Sequence, residues 1–203
     1  MADEVSGQAL LDFADDMRRL RRDCPWKRQQ THRSLARYLQ EEAAETLEAL
    51  DTGDEAHLRE ELGDLLLQVY FHAVIAEESG AFTLDDVARD ISAKMHRRNP
   101  HVFGAEAGAG AKPSAAEVDA RWQEIKRAEK PRTSAYDGIA PGLSALLLAL
   151  KVLERRPDVA PGPELAGSDD LGDRLLALVA EAKDAGIDPE QSLRDALRRA
   201  VPD

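Results

Sequence analysis

Apolar residues recur at helical spacing in several separate blocks of the chain. Leu10, Phe13, Met17 and Leu20 lie three or four residues apart and predict a first helix, which Pro25 in "DCPW" prevents from continuing. Leu35, Leu39, Ala43, Leu47 and Leu50 form one stripe of a second helix, with Ser34 expected as its N-cap and "DTGD" as its end. A third helix is expected from near Asp54 through Ala76. The fourth opens on Thr83 as N-cap with Asp85 and Asp86 in its first turn, and it closes on Lys94, Arg97 and Arg98 before "NP". Both ends complement the helix dipole.

Farther along, "GAEAGAGAKP" reads as a flexible loop. A capping box, "SAAE" from Ser114 to Glu117, starts a helix with Val118, Trp122 and Ile125 on one face. "KPRTSAYDGIAPG" reads as a linker, "LSALLLALKVLERR" as helix and "PDVAPGPELAGSDD" as non-helical, and Leu171 to Arg199 returns to helical periodicity. "LGDLLLQV" from Leu62 echoes "LGDRLLAL" from Leu171. Each is followed by a glycine turn, an acidic helix start and an arginine pair, Arg97 and Arg98 or Arg198 and Arg199, the trace of an internal duplication. Only 4% of residues are aromatic while Ala, Leu, Glu and Arg abound, so the expected fold is all-α, a helical bundle. A length of 203 residues, 43% of them hydrophobic, suits one domain or one domain with a remnant of another.

The formal charge is −12 with a pI near 4.9. Such a field repels nucleic-acid polymers and anionic membranes, so neither is an expected partner, and an anionic small ligand would need a metal or clustered Lys and Arg. The single cysteine, Cys24, excludes an intramolecular disulfide and a cysteine-built metal site and fits a reducing compartment; beside Pro25 it reads as a packing residue. The acidic N-terminal stretch has no basic segment followed by an apolar run, so no signal peptide is expected. The apolar run Leu65 to Ala76 is broken by Gln68 and His72 and is far shorter than the roughly 20 residues of a membrane span. A cytoplasmic protein is expected.

At about 100° per residue, Leu62, Leu66, Val69 and Ala73 take one face of the third helix while Glu61, Asp64, Gln68 and His72 share a narrow polar stripe. Leu65, Leu67, Tyr70, Phe71 and Val74 make most of the remaining circumference apolar. A helix of that kind is expected to be buried, and its polar stripe then needs partners. Glu42 and Glu45 are neighbours on one face of the preceding helix. Antiparallel packing across "DTGDEAH" would let Glu42, Glu45, Glu61 and Asp64 converge. Four such carboxylates repel; a hard divalent cation relieves this, and oxygen-only donors favour Mg²⁺ or Mn²⁺ over zinc. Glu41 lies a further 100° round, either a ligand for an additional metal or a group that orients or deprotonates a metal-bound water. Glu48 reads as an ordinary surface charge. A glutamate-rich helix alone is most simply a solvated face; "EExxE" joined to "ExxD" on an apolar helix is what carries the metal reading.

These motifs resemble the MazG family of nucleoside triphosphate pyrophosphohydrolases, all-α enzymes marked by EExxE followed by ExxD. The likeness runs through "CPWKRQQTHRSL", "YLQEEAAETLEAL", "LREELGDLLLQVYFHAVIAEE", "KMHRRNPHVFG" and "RWQEIKRAEK", roughly Leu10 to Lys130. It implies cleavage of a nucleoside triphosphate between the α and β phosphates, with Glu42, Glu45, Glu61 and Asp64 as Mg²⁺ ligands and Glu41 beside them, all five catalytic. It extends to Lys94, Arg97 and Arg98, which read blandly as dipole compensation and functionally as a triphosphate clamp. Trp122 and Lys126, four apart, offer a stacking ring and a cation, or a core residue and its neighbour. Trp26, Gln30 and His32 match family positions, and loop anchoring explains them as well. Lys27 stands where an acidic residue is common in the family.

Many relatives carry two tandem domains. Here residues 1–130 read as the catalytic domain, 131–142 as a linker and 143–203 as a truncated second copy without catalysis, since Asp170 and Asp173 echo ExxD with no EExxE helix before them. One helix pair cannot shield four carboxylates and also build a base pocket; a homodimer is expected, by analogy with the family's dimeric four-helix core. Competing readings fare worse. A di-iron bundle needs Glu-x-x-His pairs, which neither acidic cluster contains. A P-loop is excluded for want of GxxxxGK[ST], and "DEAH" at Asp54 to His57 is a helix start rather than a helicase motif. A helical module that binds nucleotide or a regulatory partner without turnover would have no need for five clustered acids.

Overall fold

The structure is a computed structural model and describes residues 7–104, 107–108, 113–129, 133–156, 158 and 163–201. Among the described residues every regular element is helical. They are α1 (Gln8–Asp23), α2 (Pro25–Gln29), α3 (His32–Thr52), α4 (Glu55–Ser79), α5 (Leu84–Arg98), α6 (Pro100–Phe103), α7 (Ala115–Glu129), α8 (Ala145–Arg155), α9 (Pro163–Ala166), α10 (Leu171–Asp184) and α11 (Pro189–Ala200). None is long and apolar enough to cross a membrane. The chain divides into two compact units, Met1–Val118 and Asp119–Asp203.

In the first unit α4 packs on α3, α1 and α5. Its core joins Ala14 and Met17 of α1, Leu35 of α3, and Tyr70, Phe71 and Val74 of α4, with Phe13, Tyr38, Leu66, Leu67, Ile75 and Leu84 packed around them. Phe13 and Tyr70 rings meet at 5.0 Å, and the Tyr70 hydroxyl donates to the Leu10 carbonyl at 3.2 Å, so the largest polar-tipped core residue leaves no donor unpaired. Buried Arg21 pins the segment between α1 and α3. It forks onto the Glu78 carboxylate at 2.7 and 2.9 Å, and its Nη1 donates to the Gln30 carbonyl at 2.9 Å and to the Lys27 carbonyl. Arg18 forks in the same way onto Glu77, both bonds 3.0 Å.

The α3–α4 connection sets the site. Gly53 ends α3 at φ +71°, a left-handed conformation that side chains resist, and the Asp54 carboxylate then accepts from the Ala56 and His57 amides to start α4. Gly53 stands eight residues from both Glu45 and Glu61 and eleven from both Glu42 and Asp64. Folding the chain back there brings the two acidic motifs to the same level.

Several expectations change. The N-cap of α3 is Thr31, not Ser34; Ser34 is the third residue of the helix and returns the bond, so a reciprocal capping box stands where one cap was expected. The stripe read along α3 is covered at Leu35, whereas Leu39, Leu47 and Leu50 are 41–55% exposed and Ala43 is exposed; Thr46 and Ala49 are the buried positions instead. On α4, Leu62 and Val69 are likewise exposed, so this helix is not apolar-covered all round. The supposedly non-helical 157–170 stretch contains the short α9.

The helix from "SAAE" forms with its box, the Ser114 amide and hydroxyl donating to Glu117 at 2.8 and 2.7 Å. Within the second unit α8, α9, α10 and α11 pack around Leu153 and Val179. Ser144, the N-cap of α8, also donates to Glu190 of α11 at 2.6 Å, and Gly186 at φ +69° separates α10 from α11. In the segment read as a linker, Arg155 donates to the Ala135 and Asp137 carbonyls at 2.6 and 2.8 Å. Residues 105–106, 109–112, 130–132, 157 and 159–162, which hold most of the expected Gly and Ala-rich loop and parts of the later connections, lie outside the described residues.

Candidate active site

Glu42 and Glu45 of α3 and Glu61 of α4 each place a carboxylate oxygen within 4.8 Å of the others. Glu61 is 8% exposed, and its Oε2 is buried with no hydrogen-bond partner. Its Oε1 lies 3.1 Å from His57 Nε2. Gln68 Nε2 reaches Glu42 Oε1 at 3.4 Å, leaving the Gln68 Oε1 buried and unpartnered. Burial raises the Glu42 carboxyl above its ordinary range, and the charges of Asp64, Glu45 and Glu61 push the same way, partly opposed by the Gln68 bond. Asp64, one helical turn beyond Glu61 on α4, is not among the clustered oxygens, though its charge acts on Glu42. The donors are all carboxylate oxygens, crowded and electrostatically unsatisfied, with one buried oxygen awaiting a partner. These are the properties that suit a hard divalent cation.

Glu41 is exposed; the Arg37 guanidinium is raised above its ordinary value first by its hydrogen bond to the Tyr38 hydroxyl, with the Glu41 charge a smaller push the same way. Glu48 is exposed as expected. Lys94, Arg97 and Arg98 occupy the last two turns of α5, Lys94 and Arg98 half-buried. Gln30 is tied into the local backbone: its Nε2 donates to the Trp26 carbonyl at 3.1 Å and its Oε1 accepts from Ser34 at 2.7 Å. Trp26 is 49% exposed and packs edge-on against Tyr38. His32 stacks on His72 with centroids 5.1 Å apart and Nδ1 atoms at 2.7 Å, so one ring donates to the other. Burial, then the His32 charge, lowers the His72 pKa, and its Nε2 is buried without a partner. Trp122 and Lys126 sit on α7, the ammonium 4.7 Å from the indole centroid. The Cys24 thiol is held below its ordinary range by the Lys27 amide.

A model of the MazG nucleotide pyrophosphohydrolase domain matches residues 30–103. The chain is 42% identical to an uncharacterised 26.1 kDa protein of Streptomyces cacaoi, over 97% of this chain and 84% of that one. It is 37% identical to the nucleoside triphosphate pyrophosphohydrolase/pyrophosphatase MazG of Thermotoga maritima, over 88% of this chain and 76% of the relative. The chain belongs to the MazG family. It is also 39% identical to the nucleoside triphosphate pyrophosphohydrolase of Escherichia coli K12, across 95% of this chain and 74% of that enzyme. A solved structure of a mazG-related protein from Thermotoga maritima overlaps 59% of this chain and 98% of its own, at 28% identity and a TM-score of 0.49.

Membership makes the chain an enzyme of the nucleoside triphosphate pyrophosphohydrolase class, a hydrolase of phosphoric anhydrides. The MazG match contains Gln30, His32, all five site acids and the basic end of α5, and it leaves Trp26, Trp122 and Lys126 outside. His57 is a candidate site residue that sequence reasoning missed, through its contact with Glu61. "DEAH" does start a helix, with Asp54 as its cap, yet its histidine also reaches the site. The signal was the four-residue interval from His57 to Glu61, which puts the two side chains on one face.

Proposed function

We propose that this MazG protein hydrolyses canonical or aberrant nucleoside triphosphates between the α and β phosphates, releasing nucleoside monophosphate and pyrophosphate, and so clears unwanted nucleotides from the cytoplasmic pool. The observation that carries the reading is the convergence of Glu42, Glu45 and Glu61 from two antiparallel helices, with Asp64 in the same field and the buried Glu61 Oε2 lacking a partner. Glu42, Glu45, Glu61 and Asp64 would hold Mg²⁺, with Mn²⁺ as a substitute. When bound, the cation neutralises phosphate charge and supplies a water of lowered pKa for in-line attack.

The protein's own groups do the rest. Lys94, Arg97 and Arg98 bind the triphosphate oxygens through charge-assisted hydrogen bonds. Exposed Glu41, beside the ligands on α3, orients the attacking water and accepts its proton at the carboxylate. Trp122 and Lys126 pair as ring and cation within the second unit, a surface of the kind on which a base stacks. Gln30 shapes the Trp26–Thr31 segment through its two bonds, letting Trp26 and His32 border the nucleoside. No covalent nucleophile is required.

The working form in this proposal is a homodimer. Leu39, Leu47 and Leu50 of α3 and Leu62 and Val69 of α4 are exposed in the single chain, and a second copy of this helix pair would cover them in a four-helix core. Residues 1–130 form the catalytic part, 131–142 a connector, and 143–203 a second copy that has lost its EExxE helix and does not catalyse.

Pyrophosphate release from a panel of canonical and modified nucleoside triphosphates, with Mg²⁺ or Mn²⁺, tests the proposal. Wild type releases pyrophosphate and Glu42→Gln and Glu61→Gln do not. Wild-type protein that binds nucleotide but releases no pyrophosphate under any of these conditions would leave a non-catalytic binding module as the answer.

A further inference from the structure

Glu61 is asymmetric in a way that the ligand set alone does not explain. One of its oxygens is engaged and the other is not: Oε1 is 3.1 Å from His57 Nε2, while Oε2 is buried without a partner. A glutamate carboxylate turns easily about its last torsion, for which the energy wells are broad. A ligand free to turn presents either oxygen, or neither, to a cation. His57 removes that freedom.

The imidazole is itself well fixed. His57 is the third residue of α4, its amide donates to the Asp54 cap at 3.1 Å, and the four-residue interval stacks its ring over Glu61. An ionised carboxylate only accepts, so Nε2 carries the hydrogen of this contact. Its side chain is 36% exposed, against 10% for the Glu61 side chain, so the histidine faces solvent from the rim while the carboxylate faces inward. His57 is not one of the clustered donors; those are Glu42, Glu45 and Glu61.

We propose that His57 is a positioning residue of the metal site, its Nε2–H holding Glu61 Oε1 so that Oε2 is presented to the cation shared with Glu42 and Glu45. The inference rests on the metal reading of the acidic cluster given above. It makes His57 a determinant of cation affinity rather than of substrate contact. Outer hydrogen bonds to metal ligands of this kind are worth about 10–100-fold in metal affinity, and an exposed single-bond case belongs near the lower figure.

Mn²⁺ binding to the full chain, followed by electron paramagnetic resonance at pH 7.5 without nucleotide, separates this from the reading beneath it. Wild type, His57→Ala, His57→Gln and Glu61→Gln are compared, with thermal melts in EDTA as the control for folding. The expected result is a Kd about tenfold weaker for His57→Ala and a return towards wild type for His57→Gln, whose amide can donate to the same oxygen. The KM for nucleotide at saturating Mn²⁺ stays unchanged and the EDTA melts of the His57 variants coincide with wild type. If Glu61→Gln loses Mn²⁺ binding while His57→Ala binds as wild type does, the positioning role is wrong and the metal site stands. If Glu61→Gln binds Mn²⁺ as wild type does, the metal reading itself fails. Weakened binding in His57→Ala that His57→Gln does not restore, or that tracks a lowered melting temperature, also overturns the proposal.

Discussion

Glu42→Gln should stabilise this protein when no divalent cation is present and destabilise it, relative to wild type, when one is. The substitution is isosteric and keeps the oxygen that accepts from Gln68, so packing changes little and the variable is charge. At the 4.8 Å limit of the cluster, a like-charge pair at an effective dielectric of about 20 costs about 3 kcal/mol. Glu45 is exposed, and counter-ions and water reduce this to a net of about 1–2 kcal/mol. For a chain of this size that corresponds to a melting temperature about 2–8 °C higher in EDTA.

The pH dependence has a fixed sign. The folded-state pKa of Glu42 is raised, so the stabilisation from protonating it is fully present below the ordinary glutamate value of about 4.3 and is lost as pH rises through the folded value above it. The advantage of Glu42→Gln should therefore grow with pH across that range and level off once the folded value is passed. Adding Mg²⁺ at about 100 times its Kd gives wild type about 2.7 kcal/mol that the variant largely forgoes, and the order of melting temperatures inverts. Differential scanning fluorimetry from pH 4 to 8, with EDTA or Mg²⁺, measures all three effects. A variant that melts below wild type in EDTA at pH 7.5, or a gap unmoved by Mg²⁺, would refute the reasoning.

Arg21→Met removes two forked bonds to Glu78 and the ties to the Lys27 and Gln30 carbonyls; a loss of about 2–4 kcal/mol in urea unfolding is expected. Glu78 is held below its ordinary range first by the Arg21 hydrogen bond, so its contribution is present at neutral pH and lost as pH falls through that lowered value, and the deficit of Arg21→Met should shrink in acid. Gly53→Ala forces a side chain into a left-handed turn and should cost about 1–2 kcal/mol with metal affinity falling in parallel. Leu47→Glu and Leu62→Glu should yield monomers by analytical ultracentrifugation; dimers surviving both changes would rule out the α3–α4 face as the contact. Ending the chain after Lys130 should leave pyrophosphate release intact, whereas an aggregating product would give the second unit a structural duty.

Most helix ends were readable because their chemistry is local. Thr83, Asp54 and Ser114 cap where their hydroxyl or carboxylate meets an amide two or three residues on. Thr31 and Ser34 show the limit: both are good caps, three residues apart, and periodicity cannot say which begins the helix when each bonds the other. The meeting of Glu42, Glu45 and Glu61 was legible because a hairpin about one glycine equalises the distances to the two motifs, whereas the expected place of Asp64 in the same cluster was not met. Exposed Leu39, Leu47 and Leu62 look the same in sequence as core leucines, because a hydrophobic stripe does not record whether its cover comes from its own chain. The His32–His72 stack joins rings forty residues apart and left no local pattern to read.

Because the arms of the α3–α4 hairpin are equal about Gly53, all four candidate ligands from Glu42 to Asp64 lie within 23 consecutive residues. A genetic event that copies this stretch copies all four acids together, and one that deletes either arm parts Glu42 and Glu45 from Glu61 and Asp64. In the C-terminal segment Asp170 and Asp173 echo only the second motif, and there Asp170 is the N-cap of α10, accepting from the Asp173 amide at 3.1 Å. The four acids are therefore gained or lost as one block of sequence, whereas the residues of the surrounding helices can change one at a time.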